Sequence, residues 1–305
     1  MKIAALDLGS NTTLMLIAEV VGGTIKKVYR DELTVTRMGQ GVHATKKLHA
    51  EALARMDDCL KKYSEIIISE RPDRVLAMAT SAARDVDNAE ELFKIGKKYG
   101  IAIEIIPGEK EAQITFDGAV FERKDKNNLA VIDVGGGSTE TIVLDQNGVA
   151  QGVSVNVGSV RLTEMFVTKY PTPRNEVDKL FEYAQIKFKE ATSNFKVPKV
   201  SEVIAVAGTP TTLAAVLQNR LFDEESVNGF KISARTLEEW IYKIADLDLD
   251  ARMKLTGMDP KRADVIVAGS AILLTALRFL GAKEMTVSTR GVRYGVALYA
   301  AVRGK

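Results

Sequence analysis

A turn that occurs twice limits this chain more than anything else in it. Near the start an apolar run, Ile3 to Leu6, ends in Asp7-Leu8-Gly9-Ser10-Asn11-Thr12, and a second apolar run follows from Leu14 to Val20. In mid-chain Leu129 to Ile132 ends in Asp133-Val134-Gly135-Gly136-Gly137-Ser138-Thr139-Glu140, and Thr141 to Leu144 resumes the run until Asn147-Gly148. Short β-rich runs on either side of a glycine turn read as a hairpin. Two such hairpins in two halves imply one folding unit used twice.

The segments between the turns alternate in period. Leu53, Met56, Leu60, Tyr63 and Ile67 step by three and four, the apolar stripe of a helix. Strand-like runs follow at Val75 to Ala79 and Ile101 to Ile106, with a helical stretch from Ala89 to Tyr99 stopped by Gly100. The second half continues with strands at Val153 to Val157, Val203 to Val206 and Met285 to Val287. Helical patterns cover Val177 to Glu190, Ala268 to Leu280 and the stretch ending at Val302. Alternating strands and helices define an α/β architecture. Residues Arg123 to Asn128 are all polar and mark the boundary. The expected division is 1–124 and 125–305, with the last helix free to pack back on the first lobe.

Composition narrows the function classes. The net charge of +2 over 305 residues lacks the basic excess of a nucleic-acid binder. Cys59 is the only cysteine, so no intrachain disulfide or cysteine-rich zinc site forms. Asp7 ends the first apolar run too early for a signal peptide, and no run reaches the roughly 18 residues of a membrane span. A cytoplasmic chain without a membrane partner is expected.

The paired turns suit an anion. A phosphate needs several N–H donors converging on one point, and successive amides of a tight turn supply them. Glycine permits positive φ or close approach at Gly9, Gly135, Gly136 and Gly137. Ser10, Ser138 and Thr139 add hydroxyls. Asp7 and Asp133 would repel a phosphate unless a divalent ion such as Mg²⁺ lay between them. Mn²⁺ is a substitute, and a monovalent cation such as K⁺ a further candidate. No Gly-Lys-Ser/Thr follows, so this is not a Walker A loop.

Other segments read two ways. Glu109 and Glu111 follow Pro107-Gly108 at a helix start, either as favourable first-turn acids or as a general base. Arg84 follows a strand, either paired with Asp85 or Asp87 or set to neutralise a transferring phosphoryl group. Gly208-Thr209-Pro210-Thr211-Thr212 is a phosphate loop or a hydroxyl-rich helix start. Arg262, Arg290 and Arg293 line a polyanion path or are solvated charges, and Lys187, Lys189, Lys196 and Lys199 read as a solvated face.

Taken in order, these motifs resemble the exopolyphosphatase and guanosine pentaphosphate phosphohydrolase family over nearly the whole chain. Asp7-Leu8-Gly9-Ser10-Asn11 is similar to its first phosphate loop, and Ala79 to Asp85 with Asn88 to its arginine segment. Gly108-Glu109-Lys110-Glu111-Ala112 is similar to its Gly-x-Glu-Glu-Ala segment, with Lys110 in place of the first acid. Asp133 to Glu140 is the most specific match, joined by Gly158 to Glu164, Gly208-Thr209 and Ser288 to Arg293. The resemblance implies an actin-like, ribonuclease H-like duplicated fold (the ASKHA class) with two lobes and a cleft between them. It implies that Glu111 is the base, that Arg84 holds the reacting phosphate, and that Asp133 and Glu140 work with Mg²⁺ and water. The expected substrate is inorganic polyphosphate or guanosine pentaphosphate, and the expected assembly a homodimer of the catalytic core. A sensor that binds without turnover is the reading from another class. A kinase would need an acceptor and a nucleotide pocket, neither of which is visible.

Overall fold

A computed structural model describes residues 1–145, 150–193 and 200–303. The expected turn at Asn147-Gly148, and Lys196 and Lys199 of the basic run, lie outside the described residues. The chain divides into two compact units, Met1–Arg123 with Gly291–Lys305, and Lys124–Arg290.

The first unit comprises β1 (Lys2–Leu8), β2 (Thr12–Val21), β3 (Thr24–Val35), α1 (Val42–Thr45), α2 (Ala50–Glu70), β4 (Arg74–Ala79), α3 (Ser81–Arg84), α4 (Ala89–Lys98), β5 (Ile103–Ile105), α5 (Gly108–Val120) and, from the chain's end, α13 (Val292–Val302). Its sheet runs β3-β2-β1-β4-β5. β1 pairs antiparallel with β2 and parallel with β4. Being central, β1 is buried on both faces, which is why it reads as an unbroken apolar run until Asp7. Gly22 and Gly23 take φ of 59° and 76°, the backbone a tight β2–β3 connection requires. β3 was not legible as a strand. It lies at the sheet edge and carries Lys26, Lys27, Arg30, Asp31 and Glu32, the charged dress of an edge strand. The apolar stripe of α2 buries Met56, Leu60 and Tyr63, and the Tyr63 hydroxyl donates to the Thr13 carbonyl at 3.0 Å. α13 packs against α5 and β1. A Cβ on Gly118 would strike the backbone of Gly291 and Gly295, and one on Gly295 the Ile114 carbonyl, so glycine lets the two helices cross in contact. The C-terminal stretch therefore counts with the first unit and not with residues 125–290, which it follows in sequence.

The second unit comprises β6 (Leu129–Val134), β7 (Thr139–Leu144), β8 (Ala150–Val155), α6 (Ser159–Phe166), α7 (Arg174–Ala191), β9 (Glu202–Val206), α8 (Gly208–Leu217), α9 (Glu224–Val227), β10 (Lys231–Ser233), α10 (Ala234–Ala245), α11 (Leu249–Met253), α12 (Ile266–Phe279) and β11 (Glu284–Val287). Read from β8, its sheet runs β8-β7-β6-β9-β11-β10. β6 pairs antiparallel with β7 and parallel with β9, and β9 is parallel to β11. The first five positions thus repeat the order and sense of the first unit, and β10 adds an antiparallel edge. This is the duplicated actin-like, ribonuclease H-like α/β fold. The apolar α12 is buried almost all round and forms the centre of the second core. No described helix is long and apolar enough to cross a membrane.

Candidate active site

Both glycine turns close with the same bond. Gly9 N–H donates to the Thr12 carbonyl at 3.1 Å, and Gly135 N–H to the Ser138 carbonyl at 3.0 Å. A Cβ on Gly9 would lie 2.8 Å from the Thr12 oxygen, and one on Gly135 3.0 Å from the Ser138 oxygen. The turn leaves no room for a side chain at either place. The repeat seen in sequence is a repeat in hydrogen bonding.

The second turn is fixed from behind. Ser159 N–H donates to the Gly135 carbonyl at 2.9 Å, and the Val160 and Arg161 amides to the Gly136 carbonyl at 2.9 and 3.0 Å. The Arg161 side chain donates through Nε to the Gly137 carbonyl at 2.8 Å. In a trans peptide the carbonyl and the following N–H point in opposite directions. Three consecutive carbonyls aimed at the start of α6 therefore aim the N–H groups of Gly136, Gly137 and Ser138 the other way, as a nest for an anion. Among the described residues none of these three amides donates to a protein acceptor. The first turn is held similarly, with Arg37 N–H donating to the Asn11 carbonyl at 2.9 Å and Gly39 N–H to that of Ser10 at 2.7 Å. Each turn also carries a buried side-chain donor with no partner among the described residues, Asn11 Nδ2 and Ser138 Oγ. Such a group costs about 1–3 kcal/mol unless a ligand satisfies it. Ser10 is buried beside Asn11. Thr139 differs from expectation: its hydroxyl is fully buried and donates to the Val157 carbonyl at 2.7 Å, so its donor is already spent.

Asp133 and Glu140 are direct cross-strand partners on β6 and β7, and both are buried. Ser154 on β8 extends the row, its hydroxyl donating to Glu140 Oε1 at 2.7 Å. Like charges directly opposed across a ladder repel. A divalent ion offsets that repulsion, and Mg²⁺ commonly takes one or two carboxylates with the rest of its shell from phosphate and water. The donor set of the second unit fits such an ion. Among the described residues no group of three or more acidic, His or Cys side chains gathers around one point. In the first unit Asp7 is buried and faces Leu14, so the position that matches Glu140 in the register holds an apolar side chain.

Glu111 sits in the first turn of α5. Glu109 is exposed, whereas Glu111 is 6% exposed and accepts from Arg84 NH1 at 2.6 Å. The same Arg84 nitrogen also donates to the Ile106 carbonyl at 2.8 Å, so it is held between two acceptors. The expected alternative partners, Asp85 and Asp87, are replaced by Glu111. Burial pushes the Glu111 carboxyl above its ordinary value, against the lowering pull of the Arg84 charge and of hydrogen bonds from Arg84 and Thr80. Lys110, the departure from the expected acid, lies over the Tyr299 ring at 3.9 Å and ties α5 to α13.

Gly208 and Thr209 open α8, directly after Ala207. Ala207 has φ 75° and ψ −169°, a region that L side chains rarely enter. The Arg262 guanidinium lies where a Cβ on Gly208 would be, and burial lowers its pKa from the ordinary value. Arg293 instead makes a bidentate pair with Asp31 at 2.7 and 2.8 Å, which accounts for it without a polyanion. Lys187 pairs with Glu190 at 2.7 Å on the solvated face expected for it. Sequence reasoning missed Ser154 and the Arg161 bond. The run Gly158 to Glu164 was the only signal pointing to the latter.

Amides gathered for an anion, and a buried carboxylate held against a guanidinium, are parts of a phosphoryl-transfer enzyme on an actin-like fold. Comparison with known proteins is more specific. The model of the Ppx/GppA phosphatase family matches residues 16–303. Exopolyphosphatase 2 of Mycobacterium tuberculosis is 33% identical, covering 97% of this chain and 98% of its own. The guanosine-5'-triphosphate,3'-diphosphate pyrophosphatase of Photobacterium profundum is 27% identical over 96% of this chain and 58% of its own. A crystal structure of an exopolyphosphatase from Cytophaga hutchinsonii superposes with a TM-score of 0.87 at 25% identity, covering 100% and 98% of the two chains. The chain belongs to the Ppx/GppA phosphatase family, and it is an enzyme that hydrolyses phosphoanhydride bonds.

Proposed function

We propose that this phosphatase is an exopolyphosphatase, removing the terminal phosphate of inorganic polyphosphate. The observation that carries the reading is Glu111, a buried carboxylate of raised basicity fixed by Arg84. Its role is to take the proton of the attacking water, a contribution of about 10²–10⁴ in rate. Arg84 offsets charge on the reacting phosphoryl group. The amides of Gly136, Gly137 and Ser138, with the first turn and the start of α8, bind phosphate oxygens. Asp133 and Glu140 would hold Mg²⁺, which supplies Lewis-acid stabilisation of phosphate charge when bound. We place the enzyme in the cytoplasm as a homodimer. The relative from Mycobacterium tuberculosis, matched end to end, favours polyphosphate over the guanosine substrate.

The test is phosphate release from long-chain polyphosphate, with Mg²⁺ and with EDTA, beside guanosine pentaphosphate. Metal-dependent release from polyphosphate, lost about 10²-fold or more in Glu111→Gln, is expected. Release from the guanosine substrate alone would move the function to nucleotide turnover. A folded Glu111→Gln protein with near-normal turnover would remove Glu111 as the base. Binding of both substrates without release would make the chain a sensor.

A further inference from the structure

The triglycine turn has no side chains of its own with which to hold its shape, and glycine pays the largest ordering entropy of any residue. Its carbonyls are held by three consecutive residues of α6, Ser159, Val160 and Arg161. All but one of these bonds are ordinary neutral ones, including a 3.2 Å contact from the Ser159 hydroxyl to the Gly135 carbonyl. The exception is Arg161. The residue is nine-tenths buried, and its guanidinium donates to the Gly137 carbonyl from a full positive charge.

We propose that Arg161 is a positioning residue for the phosphate-binding turn and acts on bound phosphate through the Gly137–Ser138 peptide. Two physical effects follow from its place. A charge-assisted bond fixes the peptide plane more firmly than a neutral one. It also polarises that peptide, so the Ser138 N–H on the opposite side becomes a stronger donor. The charge lies behind the turn, where burial limits screening by salt. The inference rests on the reading of this turn as the phosphate site.

Wild type, Arg161→Lys and Arg161→Met are compared by isothermal titration with inorganic pyrophosphate and by steady-state phosphate release from polyphosphate. Arg161→Met is expected to raise the pyrophosphate Kd and the KM by the same factor, about tenfold or more, the ratio that one charge-assisted hydrogen bond controls. Arg161→Lys keeps the charge but not the fork, so it should recover part of the loss. The ratio of wild-type to variant KM should hold as salt is raised, and the acid limb of the pH profile, set elsewhere by Glu111, should not move. A purely structural role would lower Tm and leave Kd and KM unchanged in the folded fraction, which would overturn the proposal while the phosphate reading stood. If Arg161→Met does not fold, Arg161→Lys decides: a wild-type Kd and KM would overturn the proposal. A wild-type protein that neither binds nor cleaves condensed phosphate would remove the reading of the turn, and the proposal with it.

Discussion

Gly158→Ala tests how closely the start of α6 presses on the phosphate-binding turn. Gly158 has φ −145° and ψ 161°, extended backbone open to any residue, so strain is not at issue. What forbids a side chain is space. The added Cβ would lie under 3.0 Å from the Gly136 carbonyl carbon and oxygen and the Gly137 nitrogen, all backbone atoms that cannot turn aside. Relief requires the turn and α6 to separate by roughly 1 Å to restore van der Waals contact. The amide bonds at 2.9, 2.9 and 3.0 Å and the Arg161 bond at 2.8 Å would then stretch out of range. Four neutral bonds at about 1 kcal/mol each, the Ser159 hydroxyl's among them, and one charged bond at about 2 kcal/mol set an upper limit near 6 kcal/mol. Partial tilting of α6 keeps some of them, so a loss of about 3 kcal/mol is expected. Thermal melting should fall by about 6–12 °C. The KM for polyphosphate should rise about tenfold or more as the three amides lose convergence. Gly281→Ala is the control. Gly281 has φ 66° and nothing within 4 Å, so alanine there costs only the left-handed strain of about 1–2 kcal/mol and leaves KM alone. If Gly158→Ala melts and turns over like wild type, the close approach is not as described. If both variants raise KM equally, general destabilisation and not the turn is responsible.

The raised Glu111 carboxyl makes a pH prediction. Its ionised form is the base, so activity should fall on the acid side through a pKa above the ordinary glutamate value of 4.5. Arg84→Met removes the largest lowering influence, and the acid limb should move to higher pH; an unmoved limb would show that another group titrates. Stability runs the opposite way with pH. A carboxyl raised by burial favours the fold fully below 4.5, and that contribution is lost as pH rises through the folded value. Ala207→Gly should relieve backbone strain of about 1–3 kcal/mol at the cost of about 0.5–1 kcal/mol of chain entropy. Denaturant unfolding is therefore expected to show a net gain of about 1 kcal/mol, and a net loss would mean that Ala207 is held there by packing not visible in its dihedrals.

Legibility in this sequence followed the range of the interaction. The repeated turn could be read because its closing bond spans three residues, Gly9 to Thr12 and Gly135 to Ser138. The strands beside it could be read because central strands are apolar on both faces. β3 could not, since an edge strand is charged for reasons that lie in the sheet and not in its own residues. The choice of Glu111 over Glu109 came from family resemblance; burial supplies its physical reason, because only one of the two first-turn acids faces the interior. The run Gly158 to Glu164 flagged Arg161 by resemblance alone, because its bond reaches a backbone carbonyl 24 positions away, and a carbonyl has no sequence signature.

The repeat also concealed its own asymmetry. Both turns share the aspartate, the glycine and the closing bond, and reading them as one device used twice gave them equal roles. The register separates them. Asp133 faces Glu140 across the ladder, while Asp7 faces Leu14. Of the two described turns, the second sets two acids opposite each other across the ladder, and such a pair is the kind of site a divalent ion stabilises. The first unit instead contributes the buried Glu111, our proposed base, and the Arg84 bonded to it, from the segments after β4 and β5. Duplication thus accounts for the two anion-binding turns. In the proposed mechanism the chemistry beyond anion binding arises where the copies diverged, at Glu140 in one unit and at Glu111 with Arg84 in the other.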